Sequence, residues 1–162
     1  DAIQDFNKAI ELSPNYKDAY YNRGFTRSLS GLHKLAIIDY TKALSIDPDL
    51  ATYYNRGISR QETGDNIGAI DDFTKAIELN PGFAYAYNNR GTPKTKLGDL
   101  KGAIKDFSKA IELKPDYAGA YFNRGLTRVF YLEHKKEGCN DLDKAGGLGI
   151  QSAYNILSSI CN

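Results

Sequence analysis

Apolar residues recur at helical spacing in the stretch 69–79, where Ala69, Ile70, Phe73, Ala76 and Ile77 fall at i, i+1, i+4, i+7 and i+8 and so share one face. Matching stretches open at Ala2, Ala36 and Ala103, and each copy runs into a proline, Pro14, Pro48, Pro81 or Pro115. Proline has no amide hydrogen to continue the helix, so the chain turns there. A second phrase alternates with the first: Tyr21-Asn22-Arg23-Gly24, Tyr54-Asn55-Arg56-Gly57, Asn88-Asn89-Arg90-Gly91 and Phe122-Asn123-Arg124-Gly125, at intervals of 33, 34 and 34 residues. Gly64-Asp65 and Gly98-Asp99 each pair a helix stop with a helix start. The unit is a helix, a tight turn, an antiparallel helix and a proline-marked corner. Such a period implies a stacked array rather than a globule with one central site.

The pattern predicts one array over 1–162: a lone second helix at 2–13, full units at 17–48, 50–81, 84–115 and 118–146, and a capping helix at 151–160 whose apolar face is Ala153, Ile156, Leu157 and Ile160. The opening inside a repeat suggests a fragment of a longer protein or its processed product. In the fourth unit Gly125 to Cys139 is two residues longer than Gly91 to Ala103, and Gly146-Gly147-Leu148-Gly149 replaces the proline corner. Pro93 falls inside a first helix, where a kink or local break is expected. One residue is missing between Pro48 and Gly57, which shortens that corner.

These features resemble the tetratricopeptide repeat family, whose unit carries W-x2-L-G-x2-Y, A-x3-F, A and P. The first full unit reads Tyr20-x2-Arg23-Gly24-x2-Arg27, then Ala36-x3-Tyr40, Ala43 and Pro48. The resemblance implies an all-α fold, a right-handed superhelical solenoid of antiparallel helix pairs. The chain departs from the family at Arg23, Arg56, Arg90 and Arg124, in place of Leu, and at Arg27, Arg60, Lys94 and Arg128, in place of Tyr.

Each repeat glycine costs about 1 kcal/mol of helix propensity relative to Ala, which calls for a packing reason. Close approach to Ala36, Ala69, Ala103 and Cys139 is expected to supply it, with Tyr40, Phe73, Phe107 and Leu142 filling the core. An aspartate precedes each second-helix aromatic or its counterpart: Asp5, Asp39, Asp72, Asp106 and Asp141. The arginines are expected to pair with them as a structural ladder. The other reading is a basic stripe that binds an acidic partner.

With 21 basic and 20 acidic side chains the formal charge is +1, which gives no bulk attraction for nucleic acid or an anionic membrane. No apolar run approaches a spanning length of about 20 residues. Cys139 and Cys161 do not form CxxC, their oxidation state is left open, and His33 with His134 supplies no metal pattern. No nucleophile elbow or phosphate loop occurs, so the expectation is a non-enzymatic segment with no cofactor. The compartment is not legible, and the cytoplasm is the default.

In the resembling family the concave face is lined by first helices. Carried over residue by residue, that face holds Tyr21, Asn22, Phe25, Tyr54, Asn55, Ile58, Tyr85, Asn88, Asn89, Thr92, Phe122, Asn123 and Leu126. Repeated asparagines resemble the asparagine ladder of O-linked N-acetylglucosamine transferases and offer donor and acceptor to an extended peptide. Equally, they can hydrogen-bond neighbouring helices and hold the array. The chaperone-tail clamp of two lysines, an arginine and two asparagines maps onto Tyr21, Phe25, Asn55, Tyr85 and Asn89, or onto Tyr54, Ile58, Asn89, Gly119 and Asn123. Only asparagines survive, so binding of an Hsp70 or Hsp90 carboxylate tail is not expected. The function expected is a scaffold that binds an extended peptide or helix of a protein partner. The alternative is self-assembly into homo-oligomers through the uncapped amino end and repeat surfaces.

Overall fold

A computed structural model describes residues 2–161. The chain divides at Pro81/Gly82 into two compact units. In the first, the helices are α1 (Ala2–Leu12), α2 (Lys17–Leu29), α3 (His33–Ile46), α4 (Leu50–Glu62) and α5 (Asn66–Leu79). In the second they are α6 (Ala84–Lys96), α7 (Leu100–Leu113), α8 (Ala118–Tyr131), α9 (Lys135–Gly147) and α10 (Gln151–Ile156), followed by a π-helical turn, Leu157–Cys161. Among the described residues no strand occurs.

Each pair is antiparallel. Late in α2, Ser28 meets His33 at the start of α3, while Gly24, earlier in α2, faces Tyr40. The reversals rest on residues in the left-handed region: Gly31, Gly64 and Gly98, with φ of 74°, 82° and 82°. Asp65 and Asp99 then cap α5 and α7 by accepting from the amides of Gly68 and Gly102 at 2.9 and 3.0 Å. The fourth reversal places Glu133 at φ 55°, where the others have glycine.

Tyr40, Phe73, Phe107 and Leu142 are all but fully buried. The repeat glycines are explained by these side chains rather than by the small residues of the second helices. A Cβ on Gly57 would lie 2.8 Å from Phe73 Cε1, and one on Gly24 would lie 3.1 Å from the Tyr40 ring. In the last pair a Cβ on Gly125 would lie 2.9 Å from Leu142 Cγ, and the small residue that also closes on it is Gly138, whose carbonyl would sit 3.0 Å away. Cys139, given that role above, is part-buried and disulfide-bonded to Cys161. The insertion is therefore one residue, as the Arg124 to Asp141 separation of 17 against 16 in the other pairs requires.

Pro93 does not break α6, which runs on to Lys96. The proline is buried near the helix end, and the Leu97 amide still reaches the Pro93 carbonyl at 3.0 Å. The short corner is closed by Asp49, which accepts from the Thr52 amide at 3.0 Å. Its counterparts at the other corners, Tyr16, Phe83 and Tyr117, make no side-chain cap.

The arginines form the ladder, not the stripe. Arg56 Nε and Nη2 donate to Asp72 at 2.9 and 2.7 Å, and Arg60 Nη1 joins the same carboxylate at 3.0 Å. Asp39 holds Arg23 and Arg27, Asp106 holds Arg90 and Lys94, and Asp141 holds Arg124 and Arg128, in the same register. All four aspartates are buried, their side chains at most 7% exposed, so a lone charge there would be costly. Asp5 is exposed, and among the described residues it holds no arginine or lysine. Each repeat arginine also lies over the ring three residues before it, Arg56 over Tyr53 at 5.8 Å for example. The remaining donor reaches back to the preceding second helix: Arg23 to Asn7, Arg56 to Thr41, Arg124 to Ser108.

Candidate partner-binding face

In the first unit the candidate residues lie on α2 and α4. The Tyr21 ring stacks on Phe25, with centroids 6.3 Å apart, and leans on Tyr40 at 6.0 Å. Its hydroxyl accepts from Asn55 Nδ2 at 3.0 Å, which joins the two first helices. Burial pushes the Tyr21 phenol above its ordinary pKa, the Asp49 charge adds to this, and the Asn55 bond opposes it. Tyr54 packs on Phe73 at 5.9 Å, and Ile58 is part-buried. Asn22 and Phe25 are the exposed members of the set.

In the second unit α6 and α8 carry the candidates. Asn88 occupies the place of Tyr21 in its repeat and is 5% exposed. Its Oδ1 accepts from Asn123 Nδ2 at 3.0 Å, and its Nδ2 donates to Asn89 at 3.1 Å. The placement of Asn88 on an open surface is thereby corrected, because its Oδ1 is taken by α8 and its Nδ2 by its neighbour in α6. The Asn88 and Asn123 bond repeats, in the same register, the bond between Tyr21 and Asn55. Tyr85 is 41% exposed beside Tyr117 and Phe83, at 5.0 and 5.9 Å, with the Lys114 ammonium 5.7 Å from its ring. Phe122 and Leu126 pack on the core of Leu142, Ala145 and Ala153.

A cleft of about 200 Å³ opens between α6 and α8, lined by Thr92, Asn123 and Leu126 together with Thr95, Lys96, Phe107, Thr127 and Tyr131. The Thr95 and Thr127 hydroxyls are taken by the Gly91 and Asn123 carbonyls at 3.1 and 2.8 Å, which lowers the polarity of its wall. Thr95, Lys96, Thr127 and Tyr131 were not among the sequence candidates. They lie three or four residues beyond Thr92, Asn123 or Thr127, so extending each helical stripe by one turn finds them.

Two family models, described as TPR repeat and tetratricopeptide repeat, match the chain. The first matches residues 1–31 and 94–129, the second 17–50 and 50–83. The chain belongs to the tetratricopeptide repeat family, and its fold is the all-α solenoid of antiparallel helix pairs that this family defines. No curated protein matches it. Among solved structures it is similar to a crystal structure of MamA, at 27% identity and a TM-score of 0.86 over 94% of this chain and 89% of the other. It is also similar to YrrB, a TPR protein with an unusual peptide-binding site, at 25% identity and a TM-score of 0.86 over 96% and 81%. The first TPR of Spaghetti (RPAP3), bound to the HSP90 peptide SRMEEVD, is 25% identical with a TM-score of 0.67 over 70% and 90%.

Proposed function

We propose that this chain is a non-enzymatic interaction scaffold whose first-helix faces, α2 with α4 in one unit and α6 with α8 in the other, each bind an extended peptide or a helix of a protein partner. The observation that carries this is the α6/α8 cleft, its wall of Leu126, Tyr131 and internally bonded threonines ready to take an apolar side chain. Exposed Phe25 and Tyr85 supply rigid aromatic area on the two faces. Family membership and the peptide-binding site of YrrB support a peptide as the ligand. The HSP90 peptide on the Spaghetti domain is not carried over, because the clamp places here hold Tyr21, Phe25 and Tyr85 rather than cations. The asparagines act mainly as helix-to-helix stitches, and the rings and the cleft hold the ligand.

Panning a random-peptide display library on the purified protein tests this. Selected peptides are expected to lose affinity with Leu126→Ser or Phe25→Ala, while Phe25→Ala keeps its denaturation midpoint. Selection of no binder, or binders indifferent to both changes, overturns the reading. Light scattering on the same sample separates it from self-assembly, since a concentration-independent monomer argues against the latter.

A further inference from the structure

We propose that the Cys139–Cys161 disulfide is a thiol-exchange site, opened by a dithiol reductant through attack on Cys161 Sγ, and that opening it releases the segment 151–161 from α9. The bond joins α9 to the π-helical turn across a sequence separation of 22, with Cα atoms 5.9 Å apart. Both cysteines are part-buried, and both line an open cleft of about 380 Å³ together with Lys135, Lys136 and Asn140. An attacking thiolate therefore has access, and two lysines are among the residues that line the cleft.

The lysines set the direction of exchange. Lys135 and Lys136 precede Cys139 by four and three residues on α9, so all three share a helical face. Positive neighbours stabilise a thiolate, and the sulfur that forms the more stable thiolate leaves faster. Attack thus falls on Cys161 Sγ, and Cys139 departs as the thiolate. The second thiol of the reductant then attacks the mixed disulfide and expels Cys161. Two electrons pass to the protein, the reductant becomes its own disulfide, and its thiol protons are taken up by the released sulfurs and by solvent.

What remains after reduction holds the segment weakly. α10 is six residues long, below the length at which a helix persists alone. Ala153 is its one fully buried residue, joined by part-buried Ile156 and Leu157 on Leu142 and Ala145, while Tyr154, lying against Gly146, is 41% exposed. So small a set of apolar contacts belongs to the low-stability end of a fold. Release would uncover Leu142 and Ala145, the same core on which Phe122 and Leu126 of α8 are seated.

The test uses the whole protein under native conditions. Dithiothreitol is expected to reduce the bond while far-ultraviolet circular dichroism keeps its helical signal, and amide exchange at 151–160 then rises sharply with little change in α2 to α7. With the monothiol glutathione, mass spectrometry is expected to find the mixed disulfide on Cys161. Lys135→Gln with Lys136→Gln should slow reduction roughly threefold, as one pKa unit in the leaving thiol implies. A bond reducible only after denaturation, an adduct on Cys139, or unchanged exchange at 151–160 after complete reduction each overturns the proposal. Because reduction is performed on the folded wild-type chain, a cysteine variant that fails to fold does not enter the outcome.

Discussion

The Asp49 carboxylate accepts from Thr52 twice, from its hydroxyl at 2.6 Å and its amide at 3.0 Å. Lys17 Nζ stands 3.0 Å away on the other side. In the other first helices the place of Thr52 belongs to Ala19, Ala86 and Ala120, and that of Asp49 to an aromatic. The pair is a local answer to the missing corner residue: a capping bond replaces aromatic packing at the same point.

Burial works against the Asp49 charge, but the Thr52 hydroxyl, the Thr52 amide and Lys17 outweigh it and hold the carboxyl below its ordinary range. A carboxyl lowered on folding contributes stability above its unfolded pKa, and that contribution is lost as pH falls through the folded value. Asp49→Ala is expected to cost about 1 kcal/mol at neutral pH, as lost caps do, and progressively less below about pH 4. Urea midpoints at both pH values check this. An equal penalty at both would mean that the charge plays no part.

One carboxylate serves two cations in every repeat, which makes the ladder asymmetric. Asp72→Ala leaves Arg56 with only Thr41 of its hydrogen-bond partners and Arg60 with Gly68 and the more distant Asp65, and is expected to cost about 3 kcal/mol. Arg56→Leu leaves Asp72 with Arg60 and should cost less. The double change Arg56→Leu with Asp72→Leu should be milder than the sum of the two singles. Additive losses in chemical denaturation would count against a shared buried charge.

Gly57→Ala is favoured by helix propensity by about 1 kcal/mol, yet it is expected to destabilise, because the added methyl meets the Phe73 ring. Phe73→Ala should cost about 3 to 5 kcal/mol. Combining the two should recover part of the glycine penalty, since the ring that clashes is gone. Melting curves of the three variants settle the contact.

Glu133→Gly is expected to stabilise the chain by about 1 kcal/mol, by relieving a side chain held at φ 55° where three sister turns use glycine. A shift of the thermal midpoint upward reports it. The same substitution at Glu137, inside α9, should lower the midpoint.

The repeat period made the helix pairs, the glycines and the buried aromatics legible, since each recurs at one place in the unit. Pairing of arginine with aspartate was legible too, from two unusual residue types moving together. Which aspartate Arg56 uses was not, because the helices of Asp39 and Asp72, α3 and α5, both pack against α4, and only the register of that packing brings Asp72 to the guanidinium. Cys139 was given the place that Gly138 holds because a one-residue insertion in the α8/α9 turn shifts the register, and Asp141 fixes it. The Asn55 and Tyr21 bond depends on the offset between successive first helices, which no local pattern encodes. Pro93 pointed to a kink or a break, of which the break does not occur, because its lost hydrogen bond is visible in a sequence and its buried ring is not.

The backward reach of each repeat arginine bears on how the array comes apart. Arg23 ties α1 to α2 and α3, Arg56 ties α3 to α4 and α5, and Arg124 ties α7 to α8 and α9. A bond network shared by three helices puts part of each repeat's stability into its neighbour, so the coupling term of a one-dimensional array grows at the expense of the intrinsic one. Fraying of α3 then withdraws a partner from Arg56 and loosens α4 as well, and melting advances by more than a repeat at a time. Arginine, where the family keeps leucine, thereby lengthens the cooperative unit.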